Sequence, residues 1–336
     1  MTTKRPLDRD ELASVLAPIG VPTGTRPLSG GLFAAVDLVQ MEDGRAVVVK
    51  TGVAASEGRP PLLTYEHDLL RAEAELLRRA EPAAVPTPRV LLTDLSRSRV
   101  DVDVLVMDHL PGETWEAVAR TLEGPAAQRV VHEWGGALAG FHSLRGEVFG
   151  YPSSPALQAS AWPDVVTAMF EALLDDAGTW GVDIQQDRIR RALGASLDDV
   201  AEITQPVLVH MDLWPGNVLI DPATGAVTGV VDLERGLFGD PVMDLVGAEP
   251  MSVDAPSSGL LAGYHAAGGR LPIVEGGGTP FGLEPAADRR LALYRLYMNA
   301  LMTIEIVPRA YAEDWVPAYS QQLLRNREAL LRHLCV

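Results

Sequence analysis

The chain has 336 residues, 47% hydrophobic and 22% charged, enough for two packed domains of an ordinary globular protein. Its one cysteine, Cys335, excludes a disulfide framework and a cysteine-based zinc site, and no window holds the uncharged apolar run that a membrane helix needs. A net charge of −17 argues against nucleic-acid binding, which needs clustered Lys and Arg, and suits a cationic small molecule drawn to an acidic cleft, although solubility alone is also served by acidity.

The opening residues, Met1 to Asp10, lack the apolar core of a signal peptide, so a cytoplasmic protein is expected. The first third reads as strands with one helix. Gly31 to Gln40 and Arg45 to Lys50 are apolar runs joined across Glu42-Asp43-Gly44, a hairpin signal. Thr64 is placed to cap a helix running to about Ala80, with Leu69, Leu70, Leu76 and Leu77 near helical spacing and Pro82, Pro86 and Pro88 ending it. Arg89 to Leu95 and Val100 to Met107 predict a second hairpin around Ser96–Arg99. There Asp101 and Asp103 alternate with Val, as in a strand with one wet face. After Pro111-Gly112 the pattern turns helical. Helices are predicted over Glu113–Thr121, Ala126–Leu144, Trp162–Ala177 and Ile184–Ile203, then from Pro241 through Leu291–Ile306 to Tyr319–Leu334. Strands first and helices after, with one β insertion, predict an α+β chain.

That insertion is the most informative segment. Val207-Leu-Val-His210-Met-Asp212-Leu-Trp-Pro-Gly-Asn217-Val-Leu-Ile220 reads strand, loop, strand, and Gly229-Val-Val-Asp232 closes the next strand. Taken singly, Asp212 could bond its own turn, Asn217 could close it, and Asp232 could cap a strand end. Taken together, the spacing of Asp212, Asn217 and Asp232 between apolar strands matches the catalytic loop of protein kinases. In that pattern one carboxylate accepts the attacking hydroxyl's proton, while an amide and a later Asp hold the metal on the nucleotide phosphates.

Two upstream features fit the same chemistry. Ser29-Gly30-Gly31 precedes the first strong strand, where glycines let a backbone approach phosphates, although no full G-x-G-x-x-G is present. Lys50 ends Val47-Val-Val-Lys50, like the kinase strand whose Lys neutralises phosphate charge. Lys50-Thr51 is not a phosphate loop, because Arg45-Ala-Val-Val-Val lacks the glycine required before the Lys. A carboxylate on the following helix should hold that Lys. Glu73 and Glu75 compete, being two residues apart and unable to face the sheet together; Glu66 is a weaker alternative.

These residues together resemble the aminoglycoside phosphotransferase family, the small-molecule and antibiotic branch of the protein-kinase-like fold. The markers are Gly30-Gly31, Lys50, Glu73, Met107-Asp-His-Leu-Pro-Gly112, Leu138-Ala-Gly-Phe-His142, His210-Met-Asp212 to Asn217, Asp232-Leu-Glu-Arg235, and Gly239-Asp240-Pro241 to Asp244-Leu245. The resemblance implies a two-lobed fold: a small antiparallel sheet with one helix, then a mainly helical lobe. Its expected parts are a nucleotide-binding lobe at 1–107 and a helical lobe at 108–336 carrying the catalytic loop and the acceptor site. It implies Asp212 as the catalytic carboxylate, Asn217 and Asp232 as magnesium ligands, and Ser29, Gly30, Gly31, Lys50 and Glu73 around the ATP phosphates. Met107 takes the gatekeeper position, with the backbones of Asp108 and Leu110 pairing with the adenine. His210 is expected to support the loop by hydrogen bonds, Asp240 to cap a helix, and Asp244 to be structural. One departure stands out: the family usually has Gly between the His and the Asp, where this chain has Met211.

The expected activity is ATP- and Mg2+-dependent phosphorylation of a hydroxyl on a small cationic molecule, an aminoglycoside or related basic antibiotic that is thereby inactivated. A metabolic kinase of the same fold, acting on choline, a fructosamine or a sugar, is the close alternative. A non-catalytic pseudokinase fits less well, since Lys50, Asp212, Asn217 and Asp232 are all intact. For the acceptor, the acids Asp164, Asp175, Asp176, Glu249, Asp254 and Glu305 are candidates without a ranking. Neither nucleic acid nor membrane is an expected partner, and the oligomeric state is open.

Overall fold

The computed structural model describes residues 5–28, 34–52, 63–274 and 278–336. Within them the chain is α+β. Helix α1 (Arg9–Leu16) opens it, started by a capping box in which Asp8 accepts the Asp10 and Glu11 N–H groups and Glu11 reaches back to the Asp8 N–H. Strands β1 (Pro22–Pro27), β2 (Ala35–Met41), β3 (Ala46–Thr51), β4 (Val90–Asp94) and β5 (Val104–Asp108) form an antiparallel sheet in the order β1-β2-β3-β5-β4. Val48 pairs with Met107 and Lys50 with Leu105 across β3 and β5.

Both faces of this sheet are covered. Val47, Val49, Val104 and Val106 pack with Leu12, Val15 and Leu16 of α1, while Leu105 and Met107 face α2 (Leu69–Ala80) and join the main core. By the two-residue period of a strand, Val48 and Lys50 lie on the same face as Leu105 and Met107. Lys50 is thereby aimed at α2.

Three expectations need correction here. Helix α2 begins at Leu69, not near Thr64, because the preceding segment docks on the helical part of the chain. Thr64 donates its N–H and Oγ1–H to Asp176 on α5 (Trp162–Trp180) at 2.9 and 2.8 Å, so it caps nothing. Strand β5 starts after Asp103, whose carboxylate is buried against Arg97 at 3.0 Å; the predicted wet face is not present in β5. Of the predicted Glu113–Thr121 helix only α3 (Trp115–Val118) forms, because Glu113–Thr114 pair as β6 with Ile220 and Leu219.

The helical part comprises α4 (Gly124–His142), α5, α6 (Gln186–Val200), α7 (Asp244–Ala248), α8 (Ser258–Ala266), α9 (Pro285–Glu305) and α10 (Val316–His333). Two small sheets lie in it. Strands β10 (Val218–Asp221) and β11 (Ala226–Val230) form a hairpin extended by β6. Strands β7 (Phe149–Gly150), β8 (Gln158–Ala159), β9 (Val207–Val209) and β12 (Leu237–Gly239) form the other, ordered β8-β7-β12-β9. Helix α9 is buried nearly all round, and its buried Arg290, Arg295, Asn299 and Glu305 are hydrogen-bonded to other elements.

Gly112 joins the first sheet to this part at φ +119°. A Cβ there would lie 2.4 Å from Thr228 Oγ1 and 2.7 Å from the Ile220 carbonyl oxygen, so only glycine fits the connector.

Candidate active site

The loop between β9 and β10 is held by backbone-directed bonds. Asp244, fully buried at the start of α7, accepts the Met211 N–H at 2.7 Å and the His210 N–H at 3.0 Å. The same carboxylate lies 2.9 Å from His142 Nε2 of α4. His210 Nε2 faces the Val231 carbonyl oxygen at 3.1 Å, and its Nδ1 accepts the Asp212 N–H at 3.3 Å. Those partners require the proton on Nε2. Burial lowers the His210 pKa and favours that neutral form, so the ring braces the loop. From α4, the Trp134 indole donates to the Leu213 carbonyl at 2.7 Å.

The loop also carries backbone strain. Met211 sits at φ +63°, a left-handed conformation that costs a side-chain-bearing residue roughly 1–2 kcal/mol. Its side chain is buried at 2% exposure, and its backbone presses on α7, where a Cβ at Gly247 would approach the Met211 carbonyl carbon to 2.5 Å. The departure from glycine is therefore accommodated by packing.

Asp212 emerges half-buried at the end of this brace. Asn217 Nδ2 donates to the Asp212 backbone oxygen at 2.7 Å and lies 3.3 Å from its Oδ2. Burial pushes the Asp212 carboxyl up to about 7; Arg235 opposes that rise, while Asp232 and Glu305 add to it. Across the hairpin, the Val231 N–H donates to the Asn217 backbone oxygen at 3.0 Å, which sets Asp232 beside the loop. Asp232 takes φ +70° and turns the chain into a short 3-10 turn, Leu233–Arg235.

Lys50 completes the arrangement. Its Nζ donates to Glu73 Oε1 at 2.7 Å and Oε2 at 2.9 Å, and to Asp232 Oδ1 at 2.6 Å; Glu234 Oε2 lies at 4.0 Å. Burial alone would lower the lysine pKa, but the Asp232, Glu73 and Glu234 carboxylates outweigh it and hold it well above the usual value. Burial raises Glu73, opposed by Lys50, and raises Glu234 strongly. Burial would raise Asp232 as well, yet Lys50 brings it below its usual range. Glu73, Asp232 and Glu234 offer oxygens within 4.8 Å of one another, a set that could also hold a cation. Glu75 turns outward to Arg79 at 2.7 Å, and Glu66 pairs with Arg309 at 2.5 Å.

The remaining sequence-chosen residues divide. Met107 is buried at the end of β5, and the Asp108 N–H donates to the Arg89 carbonyl at 3.0 Å while its carboxylate pairs with the Arg89 guanidinium at 2.6 Å. Leu110 follows in the connector. Ser29, Gly30 and Gly31 lie outside the described residues. Asp240 accepts the Val242 N–H and also takes Arg290 Nε at 2.8 Å.

Sequence reading missed a charged cluster beside Asp212. Arg235 donates to Glu305 at 3.0 Å and lies over the Tyr65 ring at 5.4 Å; Glu305 also accepts from the Tyr65 hydroxyl at 3.1 Å and from Arg309 at 3.2 Å. Glu305 was among the candidate acids, but its arginine and tyrosine partners are distant in sequence. Spacing carries no signal for them.

The family model described as the phosphotransferase enzyme family (APH) matches residues 24–286. Among solved structures, a thermostable mutant of aminoglycoside phosphotransferase APH(4)-Ia, in ternary complex with AMP-PNP and hygromycin B, is similar at 17% identity and TM-score 0.62, covering 95% of this chain and 97% of that one. A protein of Thermobifida fusca described as a candidate fructosamine-3-kinase is similar at 18% identity and TM-score 0.61, covering 96% and 98%. Macrolide 2'-phosphotransferase MphH of Brachybacterium faecium gives 20% identity and TM-score 0.51, covering 97% and 98%. At such identities the structures establish a shared kinase-like fold, and their different substrates leave the acceptor open. With the family match spanning most of its length, this chain belongs to the phosphotransferase enzyme family.

Proposed function

We propose that this phosphotransferase moves the γ-phosphoryl group of ATP to a hydroxyl of a small amine-bearing molecule, an aminoglycoside or related basic antibiotic. The observation that carries the reading is the convergence of Lys50, Glu73 and Asp232 beside the Asp212–Asn217 pair. Lys50, oriented by Glu73, would exchange its Asp232 contact for phosphate oxygens. The Asp108 carbonyl and the Leu110 N–H are the groups suited to read the adenine, since the Asp108 N–H is engaged with Arg89. On this reading residues 1–107 hold the nucleotide and 108–336 supply the catalytic loop and the acceptor site.

The donor set fits magnesium, a hard cation preferring oxygen. With Asn217 Nδ2 turned to Asp212, its Oδ1 would be free to hold the ion together with the Asp232 carboxylate. Magnesium held there supplies charge neutralisation on the β- and γ-phosphates. Asp212, held near 7 by burial, is a better proton acceptor than an ordinary carboxylate. It takes the hydroxyl proton as the acceptor oxygen bonds to the γ-phosphorus and the bond to the β–γ bridging oxygen breaks, releasing ADP.

A second reading has its own support. Glu305, which acts on Asp212, is already paired with Arg235 and Arg309, and Glu66 with Arg309, so these acids offer little free charge to a polycation. That favours an acceptor with few amines, of the fructosamine or macrolide kind. A coupled ADP-release screen with hygromycin B, erythromycin, fructosyl-lysine and choline over a salt series tests both readings. A polycation should show a specificity constant that falls steeply toward physiological salt, where exposed charges are screened over about 8 Å. ADP release that no acceptor stimulates would overturn the proposal.

A further inference from the structure

Glu73 and Asp232 meet at Lys50, yet they come from distant segments: Glu73 from α2, and Asp232 from the head of the turn Leu233–Arg235. Neither segment is fixed by its own sequence. Helix α2 begins without a side-chain cap, and its first flanking residue, Asp68, takes φ +50°. Asp232 starts its turn at φ +70°. A residue with a side chain persists in the left-handed region only where the surroundings impose it. The two segments also press on each other, since a Cβ at Gly236 would lie 2.6 Å from Leu76 Cδ1 of α2.

The restraints on both converge on one buried oxygen at the end of α9. Glu305 Oε1 accepts from Arg235 Nη2 at 3.0 Å, from the Tyr65 hydroxyl at 3.1 Å and from Arg309 Nη2 at 3.2 Å. Arg235 closes the Asp232 turn, and Tyr65 lies in the segment that leads into α2. That segment is fastened on either side of Tyr65. Thr64 holds Asp176, Glu66 holds Arg309 at 2.5 Å, and the His67 carbonyl accepts Ser153 Oγ at 2.8 Å while His67 Nδ1 donates to the Ser153 carbonyl at 3.1 Å. The Arg235 guanidinium also lies 5.4 Å from the centre of the Tyr65 ring, so the two segments touch at the node itself. Bonds to a buried carboxylate are among the stronger ones in a protein, and removing this acceptor would take one from each of three donors.

We propose that Glu305 is a positioning residue: through Tyr65 it fixes α2, and through Arg235 it fixes the Asp232 turn, so that Glu73 and Asp232 reach Lys50 together. It is not an acceptor ligand. The effect on nucleotide binding rests on the proposed reading of Lys50 and Asp232, whereas the coupling of the two segments can be read without nucleotide.

The test is backbone amide hydrogen exchange of the full chain without nucleotide, comparing wild type with Glu305→Gln and Tyr65→Phe. In both variants the amides of α2 and of residues 232–236 should exchange faster by roughly tenfold, while those of α4 and α6 keep their wild-type rates. Titration with magnesium and the ATP analogue AMP-PNP should show affinity weakened by roughly tenfold, with the acceptor KM unchanged in turnover. Unchanged exchange in α2, or equal acceleration in every helix, would overturn the proposal. So would wild-type nucleotide affinity in a variant whose α2 has loosened, or a raised acceptor KM at unchanged nucleotide affinity. If Glu305→Gln does not fold, Tyr65→Phe decides alone. A wild-type chain that binds no nucleotide would sink the proposed activity, and exchange in α2 would still decide the coupling.

Discussion

Replacing Met211 by glycine, the residue usual at this position in the family, should destabilise this chain. Two effects oppose each other. Glycine adopts φ +63° freely and removes strain of roughly 1–2 kcal/mol. Against that, the Met211 side chain is only 2% exposed, and truncating a buried Met typically costs about 2–5 kcal/mol in lost transfer energy and cavity. The loss wins by roughly 1–3 kcal/mol, which lowers the Tm by several degrees in a chain of this size. Denaturant unfolding of wild type and Met211→Gly reads the difference directly. Because the Met211 and His210 N–H groups stay bonded to Asp244, kcat should remain within a few-fold. Glycine raising the stability would refute the packing argument. A large loss of kcat at unchanged stability would mean that Met211 touches the acceptor.

Two more outcomes follow from the same geometry. Asp232→Ala should remove the magnesium dependence of nucleotide binding, since the carboxylate serves ground and transition states alike; calorimetric titration with and without the metal checks it, and an unchanged metal response would reduce Asp232 to a strand-end residue. Glu66 is pushed up to about 7 by burial, with Arg309 opposing and Glu305 adding to the rise, from an ordinary value of 4.5. The folded state thus binds a proton that the unfolded state has lost, and this group's contribution falls as pH climbs from about 4.5 to about 7, then levels off. Relative to wild type, Glu66→Gln should gain about 3 kcal/mol across that window, measured as the shift in urea midpoints; parallel curves would show that Glu66 does not titrate there.

The placement of Asp212, Asn217 and Asp232 together was legible because it is local: they are ordered by two short strands whose apolar runs are visible in the sequence. Helix periodicity left Glu73 and Glu75 competing for Lys50, and the family resemblance pointed to Glu73; Glu73 makes the contact while Glu75 turns outward. Strand β1 was illegible. Its Pro-Thr-Gly-Thr-Arg-Pro segment is almost wholly exposed and has no apolar alternation, so pairing with β2 alone orders it. Helix α1 carries a capping-box signature in Asp8 and Glu11, a local signal in an otherwise weakly apolar segment. The α2 start failed because Thr64 is claimed by Asp176, far along the chain. In the cluster of Tyr65, Glu66, Arg235, Glu305 and Arg309, Glu66 and Arg309 stand 243 residues apart, and only the folded chain brings them together. No helix of the described residues is long and apolar enough to cross a membrane.

The proposed mechanism stands on Asp212 accepting the proton of an attacking hydroxyl. The direct measurement is single-turnover transfer of γ-labelled phosphate from ATP to the acceptor identified by the ADP-release screen, by wild type and Asp212→Asn, with nucleotide affinity measured alongside. The transfer rate should be lower by on the order of a hundredfold or more in Asp212→Asn, with nucleotide binding preserved. A variant that transfers phosphate within a few-fold of the wild-type rate would contradict it.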